Sequence, residues 1–144
     1  MTTPLLSRNG LLRSASAEPV EVAVVGAGQA GLSLSYELTE AGVDHMVLER
    51  GRVGQAWRDR WDSFCLVIPN WTVQLPGGRY QGPQPDGFMP RDDIVAHLDR
   101  YARSFRAPVH EGISVSRLGR GDDGSFLLDT PSGQIRAHQP RRGR

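Results

Sequence analysis

An α/β fold is what this 144-residue sequence predicts: a parallel sheet with crossover helices, joined to an antiparallel β-meander. Three observations carry that reading. Val22 to Glu49 reads as strand, glycine turn, helix and strand. Such a unit of about thirty residues makes a right-handed crossover between parallel strands. Arg91 to Phe105 bears an apolar stripe at helical spacing and is followed by Pro108 and Val109-His110. Beyond that, three short strand-like runs alternate with two turn sequences.

The elements follow in order. Residues 1–20 carry Arg8, Arg13, several serines and no acid before Glu18, a composition that suits a transit peptide or a disordered leader; the leader is the reading adopted. Glu21 to Val25 is a short apolar strand. Ala30 to Ala41 is a helix with Leu32, Tyr36 and Leu38 near one face, and Gly42 is placed to cap it in the left-handed conformation. Val43 to Glu49 reads as a second buried strand. From Gly51 to Pro90 the periodicity fails, and three tryptophans among prolines and glycines predict a long ordered loop over a binding site. In the helix from Arg91 to Phe105, Asp92 and Asp93 favour the positive end, and Ile94, Val95, Leu98, Tyr101, Ala102 and Phe105 form the stripe. Val109-His110 begins a third parallel strand. Ile113 to Leu118, Ser125 to Asp129 and Gln134 to Ala137 form the meander, with turns at Gly121-Asp122-Asp123-Gly124 and Pro131-Ser132-Gly133. The single domain thus covers 21–137, and 138–144 is an irregular basic tail.

Composition narrows the function. The chain has room for one core, 38% hydrophobic residues and a net charge of +1, which implies neither a nucleic acid nor a membrane partner. All 17 basic residues are arginine, as a GC-rich gene would encode. Cys65 is the only cysteine, so no internal disulfide exists and a cytoplasmic location fits; between Phe64 and Leu66 it is expected to fill core. Oligomeric state is left open, and no metal-ligand cluster is apparent.

The chemistry sits in Gly26-Ala27-Gly28-Gln29-Ala30-Gly31. Gly26 suits the tight turn, Gly28 lets the backbone approach phosphates, and Gly31 lets helix and strand pack closely. The helix N-terminus adds free N–H donors and partial positive charge. Gly28, Gln29 and Ala30 therefore face a dinucleotide pyrophosphate: NAD, NADP or FAD. Glu49 closes the second strand about 20 residues beyond the turn, where a carboxylate accepts from a ribose 2′-hydroxyl and repels a 2′-phosphate. NADP is disfavoured at this site, which leaves NAD or FAD.

The next segment separates those two. Gly54-Gln55-Ala56-Trp57-Arg58-Asp59-Arg60-Trp61-Asp62-Ser63 resembles the G-G-x-W-R-x-R-[WY]-x-S stretch of flavin-containing monooxygenases and related flavoproteins. Leu66-Val67-Ile68-Pro69, Leu75-Pro76-Gly77 and Phe88-Met89-Pro90-Arg91-Asp92-Asp93-Ile94-Val95 are similar to further motifs of that group. The resemblance implies a Rossmann-like FAD-binding domain. It places Gly26, Gly28, Gln29, Ala30 and Gly31 on the pyrophosphate and Glu49 and Arg50 on the adenosine half, with an exposed arginine of no function the other reading open to Arg50. Gln55, Ala56 and Trp57 would line the cofactor toward the flavin, with packing the other role open to Trp57. Gln55 departs from the usual second glycine, which puts the local backbone conformation in question. Trp61 and Trp71 are expected in core or lid, and His97 is expected to be solvated.

In the resembled enzymes an apolar parallel strand and an NADPH-binding glycine unit follow the meander. Here the sequence turns into Gln139-Pro140-Arg141-Arg142-Gly143-Arg144, so a truncated or frameshifted FAD-binding portion is expected, a genuine short homologue with a basic tail being the alternative, with the NADPH site absent and no catalytic side chain assignable. In the complete family, flavin reduced by NADPH serves oxygenation of a small molecule. Two alternatives stay open. One is an NAD-dependent dehydrogenase fragment, for which His97 and His110 are the available acid–base groups. The other is a nucleotide-binding remnant without catalysis.

Overall fold

A computed structural model describes residues 19–138, together with a two-residue antiparallel ladder that pairs Leu5–Leu6 with Leu12–Arg13. The rest of the expected leader, and the expected tail beyond His138, lie outside the described residues.

The fold is α/β, in three layers. The central sheet is parallel, with strands β1 (Val22–Val25), β2 (His45–Glu49) and β5 (Val109–Glu111) in the order β1-β2-β5. Val24 pairs with Val47, and Val47 with Val109. On one face lie helices α1 (Gln29–Glu40) and α3 (Arg91–Ser104), on the other the meander of β6 (Arg117–Arg120), β7 (Phe126–Thr130) and β8 (Gly133–Ala137). Because strand side chains alternate, β2 serves both faces and is buried at all five positions. Val47 joins Leu32, Leu98, Tyr101 and Val109 under the helices, whereas Met46 and Leu48 join Leu128, Ile135 and Ala137 under the meander. The meander meets the central sheet at Val20, which bridges Ala137 in parallel.

Helix ends follow local chemistry. Gly42 (φ 68°) ends α1 in a Schellman arrangement, with Val43 N donating to Leu38 O and Gly42 N to Thr39 O. The same device ends α3, with Ala107 N donating to Ala102 O, but its left-handed residue is Arg106 (φ 54°) rather than a glycine. The strand expected from Ile113 is shorter: pairing begins at Arg117, and Ile113 and Val115 instead pack under the meander.

The segment expected as one long loop contains more structure. It holds a single-turn helix α2 (Gln55–Arg58), a 3-10 turn at Asn70–Thr72 and a hairpin of β3 (Gln74–Leu75) and β4 (Gly78–Arg79). Long-range polar contacts tie it down. Buried Asn70 donates from Nδ2 to Gln84 O and accepts at Oδ1 from Met89 N. Arg58 pairs with Asp99 of α3 at 3.1 Å, and Arg91 with Asp62 at 2.8 Å. Tyr101 Oη donates to Pro76 O, seating the hairpin on the helix layer.

Two expectations about individual side chains, for Cys65 and His97, are corrected, and of the core and lid roles expected for Trp61 and Trp71 the core role is excluded. Trp61 and Trp71 are 61% and 54% exposed, and Cys65 is exposed, because the segment is held by polar and backbone contacts and not by burial of these residues. His97 is half-buried with Nε2 shielded from solvent and without a hydrogen-bond partner among the described residues. Burial, reinforced by Arg100, lowers the pKa of His97.

Candidate functional site

The glycine turn lies at the C-terminal end of β1, where parallel-sheet folds place their ligands. Gly26 has φ 102°, a conformation that favours glycine, and its N–H is held by Leu48 O of the neighbouring strand. Gly31 sits so close to the turn that an added Cβ would lie 1.9 Å from Gly26 O. That contact is the price of bringing α1 tightly against β1. Gly28 differs from both. Its φ of −87° and ψ of −166° suit any residue, and an added Cβ would meet nothing within 4 Å. The space over Gly28 is thus a cradle that a side chain would fill.

Gly28 is the N-cap of α1 and has no side-chain capping bond. The first bond into the helix runs from Leu32 N to Gly28 O, so the amides of Gly28, Gln29, Ala30 and Gly31 lie ahead of it. Gln29 and Ala30 are exposed. The geometry offers an anion several N–H donors at the positive end of a twelve-residue helix.

Glu49, at the end of β2, is only 7% exposed. Its Oε1 accepts from Ala27 N at 3.0 Å and its Oε2 from Gly51 N at 2.6 Å. A carboxylate has about four lone-pair sites, so capacity for further donors remains. Arg50 beside it is exposed.

Gln55, Ala56 and Trp57 form the start of α2, which is brought to the turn through Gly54 N donating to Ala27 O at 3.0 Å. Gly54 is left-handed (φ 72°) and takes the special conformation, so Gln55 needs none: its Oε1 accepts from Arg52 N and its Nε2 donates to Asp59. Ala56 is exposed. Trp57 is partly buried against two core clusters, with its ring 5.6 Å from that of Phe64. Packing is the role its contacts display. The structure therefore brings together the turn, Glu49 and the head of α2.

Ala27, Gly51 and Gly54 belong to this constellation and were not singled out from the sequence. The available signals were Ala27's place between two glycines of the turn and Gly54's place just before a helical segment. A groove of about 1030 Å³ lined by Val22, Leu34, Leu38, Asp44, Asp123 and His138 lies elsewhere and includes none of the turn residues. Among the described residues no group of three or more His, Cys, Asp or Glu could hold a metal ion, and no helix is long and apolar enough to cross a membrane.

With this geometry in view, the comparisons with known proteins are informative. The profile of the pyridine nucleotide-disulphide oxidoreductase family matches residues 23–139. The chain belongs to that family. Within the pyridine nucleotide-disulphide oxidoreductases it is flavin monooxygenase-like. It is 35% identical over 121 residues to an uncharacterized CzcO-like oxidoreductase of Geobacillus kaustophilus, covering 83% of this chain and 34% of that protein. It is 38% identical over 84 residues to the indole-3-pyruvate monooxygenase YUCCA4 of Oryza sativa subsp. japonica, covering 57% of this chain and 19% of that protein. Among solved structures, a flavin-containing monooxygenase from Stenotrophomonas maltophilia shares 30% identity with a TM-score of 0.73, over 85% of this chain and 37% of that one. A bacillithiol disulfide reductase from Staphylococcus aureus superposes with a TM-score of 0.77 at 15% identity, over 85% of this chain and 37% of that one, a likeness of fold alone. The chain spans about a third of the length of the CzcO-like relative.

Proposed function

We propose that this chain holds FAD by its ADP half, as the flavin-binding part of an NADPH-dependent monooxygenase acting on a small molecule. The observation that carries the reading is the contrast among the three glycines. Gly26 and Gly31 are required by the backbone itself, whereas Gly28 is required by nothing inside the protein. A glycine at a position that tolerates any residue, over an open helix N-terminus, supports a surface that a ligand approaches closely.

The residues fit the group. The amides of Gly28, Gln29, Ala30 and Gly31 would hold the pyrophosphate, and the free lone pairs of Glu49 would accept from ribose hydroxyls. Exposed Arg50 would border the adenine, and Gln55, Ala56 and Trp57 would stand on the side toward the flavin. Bound flavin would supply two-electron redox chemistry and oxygen activation. The part of this chain is to bind and orient it. Family membership supports FAD, and the likeness to flavin monooxygenases supports oxygenation as the reaction class.

Binding decides the cofactor. Titration with FAD, NAD and NADP, followed by visible absorbance and flavin fluorescence, should show saturable FAD binding and weak NADP binding. Saturable NAD binding without FAD binding would instead identify a dehydrogenase-type site and overturn the proposal.

A further inference from the structure

We infer that Glu49 is a positioning residue that sets the glycine turn before any nucleotide arrives, and not solely a ribose contact. The inference rests on the reading of the turn as a dinucleotide site. Glu49 is nearly fully buried, and a buried carboxylate is costly unless hydrogen-bonded. Both of its oxygens are already engaged by main chain, Oε1 by Ala27 N at 3.0 Å and Oε2 by Gly51 N at 2.6 Å. Bonds of this kind to a charged acceptor are about twice as strong as neutral ones.

The two amides belong to different segments. Ala27 lies inside the glycine turn and is fully buried, and Gly51 opens the segment that leads to α2. Ala27 O in turn accepts from Gly54 N. Glu49 and Ala27 therefore lock the turn, the segment after β2 and the head of α2 into one unit. α1 has no side-chain cap of its own, so the side-chain hold on the turn comes from the strand next to it. The clamp also sorts the donors. Ala27 N is directed to Glu49, which leaves the amides from Gly28 onward for phosphate.

Positioning and ribose contact separate with two ligands, ADP and 2′,3′-dideoxy-ADP. The second lacks both hydroxyls from which a carboxylate could accept, yet keeps the phosphates. Each is titrated by calorimetry into the parent chain and into Glu49→Gln. The glutamine has nearly the same shape but turns an NH₂ group toward one of the two amides, donor against donor. A turn that is less often competent lowers apparent affinity in proportion, so both nucleotides should weaken by about tenfold. Without nucleotide, the amide protons of Ala27 and Gly51 should exchange faster in Glu49→Gln, while exchange within β2 and β5 stays as in the parent. Glu49→Asp, one methylene shorter, serves as the second variant should the glutamine fail to fold. It can reach one amide at a time and should lose affinity for both ligands.

A loss confined to ADP, with dideoxy-ADP bound as by the parent, overturns the inference and leaves ribose contact as the role of Glu49. Unchanged exchange at Ala27 and Gly51 overturns it as well. If the parent binds neither nucleotide, the dinucleotide reading falls, and exchange at those two amides still decides whether the clamp exists.

Discussion

Replacing Gly28 by valine isolates the part of the glycine turn proposed to face the ligand from the part that holds the fold. At φ −87° and ψ −166° the backbone is extended, which a β-branched residue accepts, and the new Cβ meets nothing within 4 Å. Two small terms act on stability. Valine is a poorer N-cap than glycine, by up to about 1 kcal/mol. It also restricts the unfolded chain, which returns about 0.4–1 kcal/mol. The terms nearly cancel, so urea denaturation and far-UV dichroism should be close to those of the parent. Binding should respond very differently. Phosphate oxygens accept from amides at about 2.9 Å, leaving no room for a branched side chain in the same cradle. We expect FAD affinity to fall at least about 100-fold, or ~2.7 kcal/mol. Gly31→Ala is the converse control. Its Cβ would lie 1.9 Å from Gly26 O, so backbone must move, and destabilisation of about 3 kcal/mol or more is expected. The assay is flavin absorbance and fluorescence on both variants alongside denaturant unfolding. Gly28→Val binding FAD as tightly as the parent would show that the turn is not the cofactor site.

Three further outcomes follow from the packing. Tyr101→Phe removes the bond from Tyr101 Oη to Pro76 O and should cost about 1 kcal/mol in urea unfolding. Burial, with Tyr36 and Glu37 nearby, pushes the Tyr101 phenol up from 10.0 to about 12. The folded state thus favours the neutral phenol: this contribution is full below pH 10 and is lost as pH rises from 10 to about 12, a loss that Tyr101→Phe should diminish. Arg106→Gly relieves a left-handed arginine at the end of α3 and should raise stability by about 0.5–1 kcal/mol, read as a higher denaturant midpoint with unchanged slope. His97 is held below its ordinary 6.5, so the unfolded chain takes up a proton first and stability should decline as pH falls below 6.5; His97→Leu should flatten that decline in unfolding curves from pH 5 to 7.

The parts of the fold that were legible in the sequence are those ruled by short-range physics. The glycine turn, the amphipathic stripe of α3, the cap at Gly42 and the two meander turns each follow from the conformations a few adjacent residues can adopt. The same holds for the position of Glu49 at the end of its strand, because strand and helix lengths fix where the crossover returns. Family membership rested on ordered motifs and was equally readable. In the candidate site, the outer surface of the turn was visible from spacing, whereas its inner support was not. Nothing local shows that Ala27 N and Gly51 N converge on one carboxylate, since the two amides stand far apart in sequence.

What the tertiary structure alone decided is which side chains other segments cover. Trp61, Trp71 and Cys65 are apolar or weakly polar, yet all three stay exposed, although the Trp61 ring meets Phe64 edge-on at 5.2 Å. Ser35 is polar yet fully buried, because His45 lies across from it, with the Ser35 hydroxyl 2.8 Å from His45 Nε2 and His45 Nδ1 2.9 Å from Val43 O. The segment from Gly51 to Pro90 has no period to read, and its path is set by distant partners such as Asp99 for Arg58 and Met89 for Asn70. Burial is a property of pairs of segments, and periodicity reveals it only where one face of a regular element meets a continuous core.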